Sequence, residues 1–285
     1  MTAAAERVAA TLLAIAAGDR DAAAAEARAA GTPLGRALAE HLARRRDDVY
    51  TDPEGFRRFV DGGGNVGLYQ AAEAALTPIR DRNRPRRVLD LGCGDGRLTV
   101  TTLHSGLERL DLVEPSARLL GEALARVGGR ATEVLGHHTT AEAFLTRRPA
   151  GTHWDLAVST FTLSALAPPA RAVVLAALAA TVDRLVLVEF DVPAFADRSA
   201  EHARYAAERY AAGVAEYPGD DVVVQGFLMP LLIGQFDPTH TRHTWEQPVA
   251  AWVTDLHAAG FPAVTHRPLY DFWWAPAHVV EALPA

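Results

Sequence analysis

Lysine is missing from this chain. All 28 basic residues among the 285 are arginine. That removes Schiff-base chemistry and any lysine general base. The lysine-free, alanine- and arginine-rich bias reads as coding bias rather than chemistry. Cysteine occurs once, at Cys93, which excludes an intramolecular disulfide framework and a cysteine-based zinc cluster. No apolar run approaches the roughly 18 residues of a membrane span. The run from Val8 to Ala17 lacks a basic lead-in, because Glu6 sits beside Arg7. It reads as a buried helix face, and the expected location is cytoplasmic with no membrane contact. Positive charge is outnumbered, 28 basic against 35 acidic residues, for a net charge of −7. A nucleic-acid binder would carry a basic footprint, so nucleic acid is not an expected partner.

What remains is ordinary globular material, 49% hydrophobic and 22% charged, which rules out a disordered or fibrous chain. The length suits one large domain or a domain with a smaller appendage. Residues 3–46 read as two helices. The first carries Val8, Leu12 and Ile15 and ends at Gly18–Asp19; the second carries Leu34, Leu38 and Leu42. They suit a lid, a dimer arm or a helical cover over the core. After DGGGN (61–65) a helix is expected from Val66 to Ile79, and the arginine-rich 81–87 reads as a solvated charge run.

From Arg87 the pattern changes. Short apolar runs at 88–91, 110–114, 132–136, 155–160 and 184–190 alternate with helical stretches. Such alternation implies right-handed crossovers and a parallel sheet covered on both faces. Residues 191–245 break the rhythm with a helix from Ala200 to Ala212, ended by Gly213, and an apolar segment at 222–236. A helix through Val249, Trp252, Val253 and Leu256 then leads to two last strands, 262–270 and 272–280.

One stretch carries chemistry. In VLDLGCGDGRLT (88–99) a buried strand ends in Asp90, and Gly92, Gly94 and Gly96 turn the chain toward an expected helix. Glycines allow a sharp bend and the close approach of a ligand. A helix N-terminus behind them would offer free N–H groups to a carboxylate or phosphate. Glu114 closes the second strand, 18 residues after Gly96. A carboxylate there can accept both hydroxyls of a ribose. A nicotinamide fingerprint reads G-x-G-x-x-G; here the third glycine comes one residue early.

This stretch, with Glu114 and DLAVSTFTLSAL (155–166), resembles the class I S-adenosylmethionine-dependent methyltransferases over about residues 66–190, and more weakly over 247–280. The resemblance implies an α/β fold. Its sheet would be a seven-stranded, mostly parallel, Rossmann-like one with helices on both faces. To this the sequence adds an N-terminal helical extension (1–65) and, within the methyltransferase domain (66–285), a cap insertion after strand five at about 191–245. It implies S-adenosyl-L-methionine as cofactor and S-adenosyl-L-homocysteine as product. Gly92, Cys93, Gly94 and Gly96 would run beneath the methionine part, with Asp90 near its amino group. Glu114 would hold the ribose hydroxyls. Gly136, His137 and His138 stand where relatives flank adenine, Ser159, Thr160 and Phe161 end strand four beside the methyl group, and Tyr69 stands where relatives place an aromatic over the sulfonium. Cys93 reads as a small buried filler rather than a nucleophile.

A base, if oxygen or carbon is methylated, is expected at a strand's C-terminal end or on the cap. His243 and Glu189 are the candidates, His243 first because its pKa needs less tuning. His240 and His243 lack a third well-spaced ligand, so no metal is expected. The aromatic insertion suits a cap over a small, largely apolar organic acceptor of the kind found in specialised metabolism. The same surface, or the N-terminal helices, suits a homodimer contact. The alternatives are a cofactor-binding enzyme that promotes cyclisation or elimination without methyl transfer, and a peptide or protein methyltransferase.

Overall fold

The structure, a computed structural model, describes residues 2–44, 53–129 and 133–285. The end of the expected N-terminal helical stretch (45–46), residues 50–52 and Thr132 of the expected third strand lie outside the described residues.

In chain order, helices α1 (Ala3–Ala16), α2 (Arg20–Ala30), α3 (Pro33–Ala43), α4 (Pro53–Asp61) and α5 (Gly63–Asn83) precede β1 (Arg87–Leu91). Then follow β2 (Arg109–Glu114), α6 (Ala117–Val127), β3 (Glu133–His138), α7 (Ala141–Arg147), β4 (Leu156–Thr160), α8 (Pro168–Ala179) and β5 (Leu185–Phe190). Next come α9 (Ala200–Ala215), α10 (Asp221–Val223), a π-helix (Val224–Leu228), α11 (Met229–Phe236) and α12 (Val249–Ala259). Strands β6 (Ala263–Asp271) and β7 (Pro276–Leu283) close the chain. No described helix is long and apolar enough to cross a membrane.

The chain divides into two compact units. One joins Met1–Gly67, Pro193–Arg242 and Asp271–Ala275; the other joins Leu68–Val192, His243–Tyr270 and Pro276–Ala285.

The first unit is helical. Its N-terminal part has three helices where two are expected. The extra one, α2, buries only alanines, Ala23, Ala27 and Ala30, and such a stripe gives almost no hydrophobic periodicity to read. Small side chains let helices approach closely. A Cβ on Gly35 of α3 would lie 2.7 Å from the Ala27 carbonyl oxygen of α2. Thr2, Asp19 and Thr32 cap the three helices, their side chains accepting from the backbone N–H of Ala5, Ala22 and Gly35. The α9 helix runs past Gly213 instead of ending there. That glycine is a packing device, since a Cβ on it would meet the Trp273 ring at 2.9 Å. Phe272, Trp273 and Trp274, expected in the last strand, belong to this unit. Trp273 meets Tyr210 edge-on at 5.3 Å, and Phe59 lies against Phe227 at 4.5 Å.

The second unit is a seven-stranded sheet in the order β3-β2-β1-β4-β5-β7-β6. The strands β1 to β5 are parallel where they pair, and β7 runs antiparallel to β5. Both faces are covered, so the strands are apolar on both sides. On one face Leu89, Leu91, Trp154, Ala157, Leu185 and Leu187 pack with Leu175, Leu178, Trp252 and Phe261. On the other, Val88, Leu110, Leu112, Val158, Val186 and Val188 pack with Ala72, Leu76, Ile79, Leu120 and Ala123.

Asp111 is a charge inside the first layer, fully buried on β2. Arg109 donates to both of its oxygens (2.8 and 3.0 Å), Trp154 Nε1 donates at 2.8 Å, and His137 Nε2 lies 2.8 Å away. Burial disfavours the charge, but the bonds from His137, Arg109 and Trp154 outweigh it and lower the pKa from 3.8 to about 2. A depressed carboxyl stabilises the fold above its unfolded pKa, and that contribution is lost as pH falls through the folded value. Asp111→Asn should therefore cost about 2–3 kcal/mol at neutral pH and flatten the loss of stability between about pH 4 and 2. Urea unfolding across that range is the measurement.

Candidate active site

At the end of β1 the chain turns through three glycines with left-handed backbone, φ +76° at Gly92, +55° at Gly94 and +77° at Gly96. Gly92 N and Cys93 N both donate to Val113 O, at 2.8 and 3.1 Å, which pins the turn to β2. The glycines serve different ends. A Cβ at Gly92 would lie 2.1 Å from Thr162 Cγ2, and one at Gly96 would lie 2.8 Å from Ala123 Cα. At Gly94 it would meet nothing within 4 Å. Packing thus demands two of the glycines, and the third leaves open space beside the backbone.

The α-helix expected after Gly96 is not there. A short 3-10 turn, Thr99–Thr102, takes its place. Thr101 and Thr102 hydroxyls each donate to a backbone carbonyl at 2.7 Å. Thr99 donates to Asp90. Hydroxyls that bond locally compete with helical backbone bonds, so no helix N-terminus stands behind the loop.

Strand pleating sorts the predicted residues. Successive side chains point to opposite faces. Asp90 and Glu114 share the face of Val88, Leu110 and Leu112. Glu114 is buried; its Oε2 accepts from Gly94 N at 3.2 Å and its Oε1 from Ser116 N at 2.8 Å. A carboxylate has about four acceptor sites, so capacity for further donors remains. Asp90 is also buried, and loss of hydration raises its pKa from 3.8 to about 6, against the bond from Thr99 and with the help of nearby Glu114. A buried carboxyl so placed favours a cationic neighbour. Thr160 falls on this face too. Cys93 is buried beside the two carboxylates; burial first, then their charge, pushes its thiol pKa up, as suits a filler.

The same alternation separates the remaining candidates. Ser159 points to the opposite face, fully buried, its hydroxyl donating to Leu91 O at 2.9 Å. His137 also lies opposite, engaged with Asp111 and packed on Phe144 at 4.6 Å. Strand β3 runs on to His138, which pairs with Glu114 in register and shares its face. The imidazole beside Glu114 is therefore His138, whose Nε2 lies 3.0 Å from Pro115 O. The strand runs two residues past the expected end at Gly136, and its alternation decides between the two.

Phe161, expected with Ser159 and Thr160 at the end of strand four, has a backbone that the sequence did not foretell. It is one of three described non-glycine residues with positive φ, at +53°. Its N donates to Val188 O at 2.8 Å, and its ring stacks on Phe190 at 4.9 Å and meets Tyr69 edge-on at 6.2 Å. The Arg97 guanidinium covers Tyr69 at 5.2 Å. Strain of this kind costs about 1–3 kcal/mol and persists where surrounding structure imposes it. No local sequence signal marks it, because a phenylalanine does not advertise left-handed backbone.

The two base candidates differ in burial. Glu189 faces the Leu185 and Leu187 side, opposite Asp90 and Glu114. It is buried, and its Oε1 accepts from Ser164 N at 3.2 Å. Burial raises its pKa from 4.5 to about 7, against the Ser164 bond and with Glu246 adding to the rise. His243 is exposed in the segment between α11 and α12. Among the described residues no group of three or more histidine, cysteine or acidic side chains could hold a metal ion.

A methyltransferase-domain family model matches residues 65–224, more than half of the chain. The chain belongs to the S-adenosylmethionine-dependent methyltransferases. Solved structures share the fold of this methyltransferase. Magnesium protoporphyrin IX methyltransferase from Synechocystis PCC 6803, with S-adenosylhomocysteine bound, has a TM-score of 0.52 at 16% identity, covering 86% of this chain and 94% of its own. Mitomycin 7-O-methyltransferase has a TM-score of 0.52 at 16% identity, covering 94% and 72%. A Burkholderia thailandensis 1,6-didemethyltoxoflavin N1-methyltransferase has a TM-score of 0.50 at 19% identity, covering 76% and 78%. No curated protein matches the sequence. The residues present fit the cofactor class on their own geometry: open space at Gly94, and buried carboxyl groups at Glu114 and Asp90 on the same face beside the glycine turn.

The glycine turn can be tested without ligand. Gly94→Ala should cost only the left-handed backbone penalty, about 1–2 kcal/mol. Gly92→Ala should cost about 2–5 kcal/mol, because overpacking against Thr162 is added. Equal losses in urea unfolding would overturn the assignment of Thr162 as the obstacle.

Proposed function

We propose that this methyltransferase transfers a methyl group to an O, N or C atom of a small, largely apolar organic acceptor, as a step in specialised metabolism. The observation that carries this is the aromatic line Tyr69, Phe161 and Phe190 at the C-terminal ends of β4 and β5. It stands one residue from Thr162, which packs on the Gly92 turn. Aromatic rings there favour an apolar partner and exclude water. The three solved relatives take small ring compounds by their names, and this reading puts the chain in the same substrate class. The net charge of −7 also speaks against a polyanionic acceptor.

The proposed cofactor contacts follow the geometry. Glu114 would hold the ribose hydroxyls and Asp90 the ammonium group, while the backbone at Gly92, Cys93, Gly94 and Gly96 would pass beneath the methionine part. Tyr69 and Thr160 would line the reacting side, and of His137 and His138 the latter, on the face of Glu114, would flank adenine. When bound, the cofactor supplies an electrophilic methyl group on a sulfonium. The protein's part is to orient the acceptor and keep water out, and positioning of that kind supplies much of the rate in such displacements. We assign proton removal from an oxygen or carbon acceptor to His243, the exposed candidate; the buried Glu189 holds the backbone of Ser164.

Calorimetry should show S-adenosylhomocysteine binding with a dissociation constant on the order of micromolar. Glu114→Ala should weaken it by about 1–3 kcal/mol through loss of charge-assisted bonds. Unchanged affinity in the folded variant would refute the ribose assignment.

The base assignment is tested by turnover, read as S-adenosylhomocysteine release with an acceptor found among small phenols and aromatic amines. His243→Ala should lower turnover by about 10²–10⁴ and leave cofactor affinity unchanged. Near-normal turnover of both His243→Ala and Glu189→Gln from pH 6 to 9 would show that positioning alone suffices.

A further inference from the structure

Arg171 lies on α8 with 1% of its surface exposed. A buried guanidinium is costly, and an apolar side chain of similar volume often stabilises a fold as well or better. Its retention calls for a geometric reason.

The contacts supply one. Arg171 Nη1 donates to Trp245 O at 2.9 Å and Nη2 donates to the Gln247 side-chain oxygen at 2.5 Å. Its plane lies over Trp252 at 4.5 Å, and Asp255 stands 3.5 Å from Nε. Gln247 Nε2 donates in turn to Asp255 at 2.8 Å. Two directional bonds and one stacked face leave the planar group a single orientation. Lysine, a point charge on a flexible stem, reproduces none of that.

The held segment leads back to the site. Trp245 N donates to Ser164 O at 2.6 Å, and Ser164 N donates to Glu189 Oε1 at 3.2 Å. Ser164 is two residues from Thr162, whose hydroxyl lies 3.2 Å from Gly92 O and whose side chain occupies the space a Cβ on Gly92 would need. Phe161, in its left-handed conformation, begins the same loop. From α8, then, a chain of bonds passes through residues 245–247 to loop 161–164 and ends on the glycine turn.

We propose that Arg171 is a positioning residue: by fixing Trp245 and Gln247 it holds the loop after β4, with Phe161 and Thr162, in the shape that presses on the glycine turn. It touches neither cofactor nor acceptor. The proposal rests on the cofactor reading above only for its effect on ligand affinity.

The test uses Arg171→Met, Arg171→Lys and Gln247→Met in the full chain, with Arg184→Met as control. Arg184 pairs with Glu281 just ahead of β5, at the other end of the strand. Thermal unfolding, site-resolved hydrogen exchange and calorimetry with S-adenosylhomocysteine are compared. Both Arg171 variants should unfold cooperatively, with amides of 161–166 and 245 exchanging about tenfold faster and sheet amides unchanged. Their affinity for S-adenosylhomocysteine should fall about tenfold. Gln247→Met should give a smaller change of the same pattern, and the control none. Wild-type exchange in the loop of Arg171→Met overturns the proposal. So does acceleration spread evenly over the sheet, or full restoration by lysine. If Arg171→Met does not fold, Gln247→Met decides by the same criteria. If the unaltered protein binds no S-adenosylhomocysteine, the cofactor reading fails, and the exchange measurement still decides on the clamp.

Discussion

The contact between Thr162 and the backbone of Gly92 is the constraint on which the site depends. Two loops from neighbouring parallel strands, β1 and β4, meet there with no room for a methyl group. Such proximity requires glycine on one side and a fixed loop on the other. The fixed loop explains why Phe161 tolerates a left-handed backbone, since the bond to Val188 O and the ring of Phe190 hold it. Strain at a loop of this kind survives only where neighbours over-determine it.

Buried charge in the α/β unit follows one rule with two outcomes. Asp111 has three strong donors and stays ionised. Asp90 and Glu189 each have fewer, and desolvation lifts both toward neutrality. The difference has a functional sense. Asp111 ties β2 to β4-side packing through Trp154 and needs no further partner. Asp90 lies beside the glycine turn, where a bound cation would complete its solvation. Glu189 sits behind the loop and supports Ser164.

Much of the architecture was legible. The five apolar runs, their spacing and the glycine turn announce a parallel sheet, because burial on both faces forces strands to be apolar throughout. Glu114 was legible for the same reason, as a carboxylate ending a buried strand. The helical unit was less so. The α2 helix hides in alanine, and α9 continues through Gly213 because Trp273 needs the space. A glycine required by packing and a glycine that ends a helix look alike in sequence.

The sequence by itself determined the parallel strands, which rest on local periodicity, and carried the motif whose resemblance to a known family implies the cofactor class. Only the tertiary structure decided which face each candidate occupies. His138 rather than His137 stands by Glu114, and Ser159 and Glu189 point away, because a pleated strand reverses its side chains at every residue and its last residue is set by pairing. It also decided the role of Arg171, whose partners lie 74 and 76 residues along the chain. No local pattern encodes a contact across that separation; it exists only once the segment between α11 and α12 has folded back onto α8.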